Sequence, residues 1–358
     1  MICARWEEQL NGIEFFSGAG GLSLGAEQAG ISVSCAVEIS PTAAASYRRN
    51  HPKVKVIERD IREVKGSDCK GASEPLIVFG GAPCQGFSTS NQRTRNKENK
   101  NNWLFEEFLR LVKDIKPFVV LFENVYGITH TEKGFFRLAL RSRLNALGYK
   151  VTDTIADATL MGVPQRRKRY FCVGAFTKAI DLSNVGKTAN RVTVADAISD
   201  LPFLKVGARK SRLPYRSEPV SSYAQDLRAN ASTSTGHLVT KNAQHILERY
   251  AHIPQGGNWQ NIPKSMMGSY TDVSRCHTGV YKRLSMDEPS VVLGNFRKNM
   301  LIHPIEDRGL SVREAARLQS FPDAYEFYGS IGQQQQQVGN AVPPLMARRI
   351  FETILDQF

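Results

Sequence analysis

The sequence contains no pair of cysteines in a C-x-x-C arrangement. Its six cysteines (Cys3, Cys35, Cys69, Cys84, Cys172 and Cys276) are scattered over 358 residues. That disfavours a zinc ribbon, and the length disfavours a small disulfide-stapled scaffold. His277 and His303 have no partners at metal-ligand spacing, so no metal site is expected. Also missing is any apolar run near the about 20 residues needed to cross a bilayer. Met1–Leu10 carries Arg5, Glu7 and Glu8 and has no apolar signal core. A cytoplasmic protein with no membrane partner is the expectation. Acid is the scarcer charge: 34 Asp and Glu stand against 47 Lys and Arg, a net charge of +13. An excess of that size points to a polyanionic partner, most simply nucleic acid, although many basic proteins merely carry solvated basic faces.

What is present is ordinary in bulk. Hydrophobic content of 41% and charged content of 23% are those of a soluble globular chain, and the length allows one larger and one smaller domain. The stretch Gly80-Gly81-Ala82-Pro83-Cys84-Gln85-Gly86-Phe87-Ser88 is the focus. It follows Pro75–Phe79, a short apolar run that reads as a buried parallel strand. Such sheets deliver reactive groups at the carboxyl ends of their strands, where Cys84 stands. A buried structural cysteine has no need of Gly, Pro and polar neighbours; a presented nucleophile does.

The remaining elements repeat one plan. Ile13–Phe16 reads as a strand, Ser17–Gly21 as a glycine turn, Leu22–Ala29 as a helix ended by Gly30, and Ser32–Val37 as a second strand. Glu38 follows, 20 residues beyond Gly18. Strand, glycine loop, helix, strand and acid form the mechanical logic of a nucleoside-binding βαβ unit, without saying which nucleoside cofactor. Ser40-Pro41 starts a helix. Val54–Glu58 is a strand with Asp60 at its end, either a ligand contact or a helix cap. The polar, basic run 89–102 is either a solvated loop or a lid, and its length favours the lid. Trp103–Ile115 is an amphipathic helix. Phe118–Phe122 is an apolar strand that ends in Glu123-Asn124-Val125, which sets Glu123 at the same sheet edge as Cys84. Beside a nucleophile it is a base, a charged anchor or a substrate partner. Helix Phe135–Leu147 and strand Tyr149–Ala156 follow. The cations Arg166–Arg169 then precede strand Tyr170–Gly174, and they suit phosphate or substrate oxygens. Pro289–Leu293 and Leu301–Pro304 read as strands, and Pro344–Leu355 as a final helix.

These residues resemble the cytosine-5 DNA methyltransferase family, of the prokaryotic restriction–modification type. The similar motifs are Phe15–Gly21, Ala82–Gln85, Glu123–Val125, Gln165–Arg169, Arg313–Pro322 and Gln337–Pro344, in the family's order. Ala82 departs from the usual Pro, and of the glutamines Gln333–Gln337 only Gln337 fits, the others reading as a polar helix segment.

The resemblance implies an α/β fold: a Rossmann-like S-adenosylmethionine-dependent methyltransferase sheet with a smaller target-recognition domain. Residues 1–180 would begin the catalytic domain, 181–310 would read the target, and 311–358 would return to complete the large domain. Phe16, Gly18, Gly20, Gly21, Glu38, Ile39, Asp60, Ile61, Pro83 and Asn340 would hold S-adenosylmethionine. Cys84 would attack C6 of a flipped-out cytosine. Glu123 would hold the ring N3 and amine, and Arg167 would meet the carbonyl oxygen. Arg169 would support Glu123, while Gln85, Ser88, Asn124 and Gln165 would contact substrate. The expected partners are double-stranded DNA and a cognate restriction endonuclease. A monomer associated with the nucleoid is the default. An RNA (tRNA) cytosine-5 methyltransferase and a catalytically silent DNA-binding protein are the alternatives.

Overall fold

A computed structural model describes residues 10–69, 76–83, 103–186, 191–268, 278–294, 296–297 and 300–358. Its strands are β1 (Asn11–Phe15), β2 (Ser32–Glu38), β3 (Lys55–Glu58), β4 (Leu76–Gly80), β5 (Val119–Val125), β6 (Lys150–Asp157), β7 (Lys168–Ala175), β8 (Arg209–Pro214) and β9 (Thr233–Leu238). The helices are α1 (Gly21–Gln28), α2 (Pro41–Asn50), α3 (Gly66–Cys69), α4 (Leu104–Ile115), α5 (Phe135–Ala146), α6 (Val194–Ile198), α7 (Ser222–Arg228), α8 (Gln244–Ala251), α9 (Val312–Leu318), α10 (Ile331–Asn340) and α11 (Pro344–Leu355). Among the described residues no helix is long and apolar enough to cross a membrane.

The chain divides into two units. The first comprises Met1–Met161, Lys168–Lys187 and Pro344–Phe358. It holds a seven-stranded sheet in the order β3-β2-β1-β4-β5-β7-β6, parallel except where β7 runs against both of its neighbours. Strand order reverses between β1 and β4. In open α/β sheets that switch point opens a crevice beyond the carboxyl ends of the strands.

Both sheet faces are covered, which is why β4 and the first part of β5 are apolar at every position rather than at alternate ones. On one face Phe15, Val78 and Phe122 meet Phe108 and Val112 of α4 and Phe136 and Leu140 of α5. Phe108 meets Phe15 and Phe122 edge to face, with ring centres 5.9 and 5.2 Å apart. The other face takes α1 and α11. Phe79 packs on Phe351 at 5.0 Å, and Gly25 lets α1 approach α11 so closely that a Cβ there would lie 2.6 Å from the Pro344 carbonyl. The C-terminal helix, expected at Pro344–Leu355, has those bounds, and its contacts make the first unit discontinuous in sequence.

The second unit comprises Gly162–Arg167 and Thr188–Pro343. The return to the first unit therefore begins at Pro344, not at 311 as expected. The reason lies in buried charge. Arg317 of α9 is fully buried and binds Asp323 at 2.7 Å through two nitrogens and Asp200 at 3.0 and 3.1 Å. Arg313 donates to the carbonyls of Thr235, Pro322 and Tyr325. Removing these groups from water demands partners that stay put, and those partners belong to the same unit. The antiparallel pair β8–β9 lies here too.

The expected strands at Pro289–Leu293 and Leu301–Pro304 are absent. Single bridges, Gln165 to Ser290 and Ile302 to Arg283 and Gly309, take their place. The glutamine run lies on α10, capped by Ser330 and Gln333, with Gln335 and Gln337 turned inward.

His303 does acquire acidic neighbours: Glu306 and Glu314 lie within 4.8 Å of it. The guanidinium of Arg308 already bridges both carboxylates at 2.6 Å. His303 Nδ1 accepts from the N–H groups of Ile305 and Glu306. This is a closed ion-pair network, and desolvation pushes the His303 imidazole below its ordinary range.

Candidate active site

Parallel strands bring their carboxyl ends to one edge, so topology alone gathers the ends of β1, β2, β4 and β5 in the first unit. The antiparallel β7 starts at that edge, which is how Arg169 joins them: Arg169 pairs in register with Val125, two residues past Glu123.

The loop after β1 is built on backbone geometry. Phe16 and Gly18 have φ of 57° and 55°, and Gly20 has 92°. Ser17 N–H donates to the Val37 carbonyl at 3.1 Å, and Gly20 N–H to the Ser17 carbonyl at 2.9 Å. Glu38 holds the loop from the side, accepting from Gly18 N–H at 2.7 Å and from Ser40 N–H at 2.8 Å. Burial raises its carboxyl above the ordinary range in spite of these bonds. Above Gly18 there is open space, since a Cβ built there would meet nothing within 4 Å. Ile39 next door is 62% exposed, a large apolar side chain facing water beside a half-sheltered acid. Asp60 caps the short turn Ile61–Glu63 through Arg62 N–H at 3.0 Å and pairs with the Arg62 guanidinium, which lowers its carboxyl. The cap alternative is thus realised, with Ile61 buried behind it.

At the end of β4 the chain turns through Gly80, Gly81, Ala82 and Pro83. Gly80, at φ 157°, lies so close to the Phe15 carbonyl that no side chain fits. Cys84, Gln85, Ser88 and the polar run 89–102 lie outside the described residues. The described approach to Cys84 is nonetheless fixed: Asn124 Nδ2 donates to the Ala82 carbonyl at 3.2 Å, and Asn124 Oδ1 accepts from Val125 N–H. Asn124 is 1% exposed, and its amide holds the turn.

Glu123 and Arg169 form an ion pair, Arg169 Nε to Glu123 Oε1 at 2.9 Å, with each side chain 11% accessible. Gly81 makes room for it, because a Cβ there would strike Glu123 Oε2.

The Gln165–Arg169 motif is split between the units. Gln165 is fully buried in the second unit. Its amide donates to Gln319 Oε1 at 2.8 Å and to the Leu318 carbonyl at 3.3 Å, and its oxygen accepts from Leu293 N–H at 3.1 Å. Arg167 is also fully buried there and donates to the carbonyls of Gly339 at 3.0 Å, Ala341 at 2.8 Å and Asn340 at 3.5 Å. Neither side chain matches the expected substrate contact. Burying a guanidinium is costly without acceptors, and carbonyls some 170 residues away supply them, a pairing that no local pattern announces. Asn340 is exposed at the end of α10 and accepts from Gln336 Nε2 at 2.6 Å.

A Rossmann-like sheet whose carboxyl edge gathers a glycine loop with its acid, a Gly-Pro turn and a Glu–Arg pair has the frame of an α/β enzyme that uses a nucleoside cofactor. The chain belongs to the C-5 cytosine-specific DNA methylase family, whose model matches residues 10–356. It is thus an enzyme, a DNA (cytosine-5-)-methyltransferase by class. Two relatives are the Type II methyltransferase M1.HphI of Haemophilus parahaemolyticus and the Type II methyltransferase M.PspPI of Psychrobacter sp. (strain TA137). The first is 34% identical over 96% of this chain and 86% of its own length. The second is 35% identical over 96% of this chain and 78% of its own. Among solved structures, a prophage-encoded DNA modification methyltransferase of E. coli covers 97% of this chain and 99% of its own, at 27% identity and a TM-score of 0.79. The Entamoeba histolytica methyltransferase EhMeth shares the fold, with a TM-score of 0.62 at 15% identity, over 98% of this chain and 99% of its own.

Proposed function

We propose that the chain methylates C5 of a flipped-out cytosine in one short duplex DNA sequence, with S-adenosylmethionine as methyl donor and Cys84 as covalent nucleophile. The observation that carries this reading is the convergence, at one sheet edge, of the Glu38-held glycine loop, the turn leading into Cys84 and the Glu123–Arg169 pair.

The residues fit the donor. Open backbone at Gly18 admits close approach, Glu38 keeps lone pairs for ribose hydroxyls, and exposed Ile39 offers an apolar face to a purine. Phe16, Gly20, Gly21, Ile61 and Pro83 would line the same end of the sheet, with Asp60 held in place by Arg62. Bound there, S-adenosylmethionine supplies an electrophilic methyl group.

The chain's own residues prepare the acceptor. C5 of cytosine is a poor nucleophile. Addition of the Cys84 thiolate to C6 breaks the ring's conjugation and makes C5 an enamine carbon able to take a methyl group. Glu123 binds N3 and the exocyclic amine, holding the proton that balances the charge of the adduct. Arg169, already beside Glu123, is the cation suited to the base carbonyl oxygen, the task expected of Arg167. Loss of the C5 proton restores the C5–C6 double bond and expels Cys84. Gln85 and Ser88, next to the nucleophile, would contact the base or its backbone. In a duplex these atoms are stacked, so the base has to leave the helix first.

Relatives named as Type II methyltransferases support a modification enzyme paired with a restriction endonuclease. Action as a monomer on the nucleoid remains part of the proposal. Bisulfite sequencing of unmethylated genomic DNA after incubation with S-adenosylmethionine tests the reading. Protected cytosines confined to one motif, and absent with Cys84→Ser, are expected. Protection of tRNA cytosines instead of DNA would move the assignment to RNA.

A further inference from the structure

Beneath the glycine loop runs a chain of buried polar groups that the proposed chemistry does not use. Glu14, on β1, precedes the loop; Ser23, in the first turn of α1, follows it. Their side chains meet, Ser23 Oγ donating to Glu14 Oε2. Tyr47 of α2 donates in turn to Ser23 Oγ at 2.5 Å. Glu14 is 1% exposed, and Ser23 and Tyr47 are not exposed at all. A carboxyl sunk in this way is expensive, so a core without a task for it would use an apolar residue. The ring of Tyr47 lies on His51, which pairs with Glu27 of α1 at 2.9 Å.

The placement matters more than the burial. The Glu14–Ser23 contact closes Phe15–Leu22 into a side-chain-clamped loop, and Tyr47 ties that clamp to α2, the helix that begins just after Glu38. Glu38 and the Val37 carbonyl hold the same loop from the other side, through Gly18 and Ser17. The loop is therefore pinned at both flanks before any ligand arrives.

We propose that Glu14, Ser23 and Tyr47 are positioning residues that preorganise the Phe16–Gly21 backbone for the methyl donor, without touching it. This deepens the reading given under Proposed function and rests on it. Preorganisation acts on affinity, because a loop already ordered loses less freedom on binding. It does not act on the transfer step once the site is filled.

The test compares full-length wild type with Ser23→Ala, Tyr47→Phe, Glu14→Ala and the conservative Glu14→Gln. Three readouts are S-adenosylmethionine binding by calorimetry, kcat at saturating donor, and amide hydrogen exchange of Ser17–Gly21 in the ligand-free protein. Ser23→Ala is expected to weaken donor binding about tenfold, or about 1.4 kcal/mol, with kcat within about twofold and DNA affinity unchanged. Loop exchange should quicken in parallel. Glu14→Gln, which still accepts from Ser23, should keep most of the affinity that Glu14→Ala loses. Tyr47→Phe removes only a hydroxyl, so it serves if Ser23→Ala fails to fold; a loss of about threefold is expected. Variants with a lower Tm but wild-type donor affinity and loop exchange would overturn the proposal and make the chain a plain core element. Failure of the wild type to bind S-adenosylmethionine would instead sink the underlying cofactor reading, a distinguishable result.

Discussion

The different settings of Arg167, buried on backbone carbonyls, and Arg169, paired with Glu123, have measurable consequences. In Arg167→Ala the carbonyls of Gly339 and Ala341, now served at 3.0 and 2.8 Å, lose a charged donor in a fully buried place. Hydrogen bonds to charged groups contribute about 1.5–3 kcal/mol each, so two of them put the loss at about 3–6 kcal/mol. For a unit of this size that corresponds to a fall in Tm of about 6–24 °C. Arg169→Gln is different. Glutamine can still donate to Glu123, so Tm is expected to move by no more than about 3 °C. Its kcat should fall about 100- to 1,000-fold, the usual effect of removing a donor aimed at developing negative charge. Calorimetric scans and single-turnover methylation of the two variants, run side by side, measure both quantities. Should Arg167→Ala melt within about 2 °C of wild type yet lose transfer, the assignment of Arg167 as a buried anchor is wrong.

Steric and electrostatic features elsewhere lead to further expectations. Gly81→Ala drives a methyl group into Glu123 Oε2; methylation should drop at least about tenfold while Tm stays within a few degrees. Gly25→Ala wedges α1 from α11, where Pro344 O and Arg348 N lie 2.6 and 2.7 Å from the new Cβ; urea unfolding should show about 2–3 kcal/mol of destabilisation. The Glu314 carboxyl is held down at about 2, its burial outweighed by Arg308. Its stabilisation, about 3 kcal/mol, is present above the ordinary carboxylate pKa and is lost as pH falls from about 4.5 toward 2. Burial instead pushes Glu14 up to about 8. Its contribution is full below about 4.5 and declines, by about 5 kcal/mol in all, as pH rises through 8. Urea unfolding at pH 5 and pH 8.5 should show Glu14→Gln gaining stability relative to wild type only at the higher pH.

The parts of the site that were legible in the sequence are those made of contiguous chain. Strand, glycine turn, helix, strand and Glu38 form one βαβ unit, and each piece carries its own signal: glycines at positive φ, Ser40 as cap, apolar strands. Glu123 was placed at the sheet edge because consecutive apolar residues mark a buried parallel strand and the first acid marks its end. Arg167 and Arg169 could not be separated in that way. They stand two residues apart with the same charge, and what divides them is that β7 opens at Lys168 while Arg167 lies in the other unit. The boundary at Pro344 was hidden for a similar reason: nothing in the sequence around Arg313 and Arg317 announces that Asp200 and Asp323 pair with them in a buried place. Pro289–Leu293 has the composition of a strand but only a single bridge, because edge pairing depends on neighbours rather than on the segment itself.

Covalent trapping reaches the central claim most directly. A duplex carrying the methylated motif, with 5-fluorocytosine at the target position, blocks loss of the C5 substituent and so prevents release of the enzyme. Incubated with S-adenosylmethionine, the protein should form a denaturation-resistant adduct with that DNA, and peptide mass mapping should put the attachment on Cys84. An adduct mapped to another residue, or motif-specific methylation with no adduct at all, would contradict the mechanism.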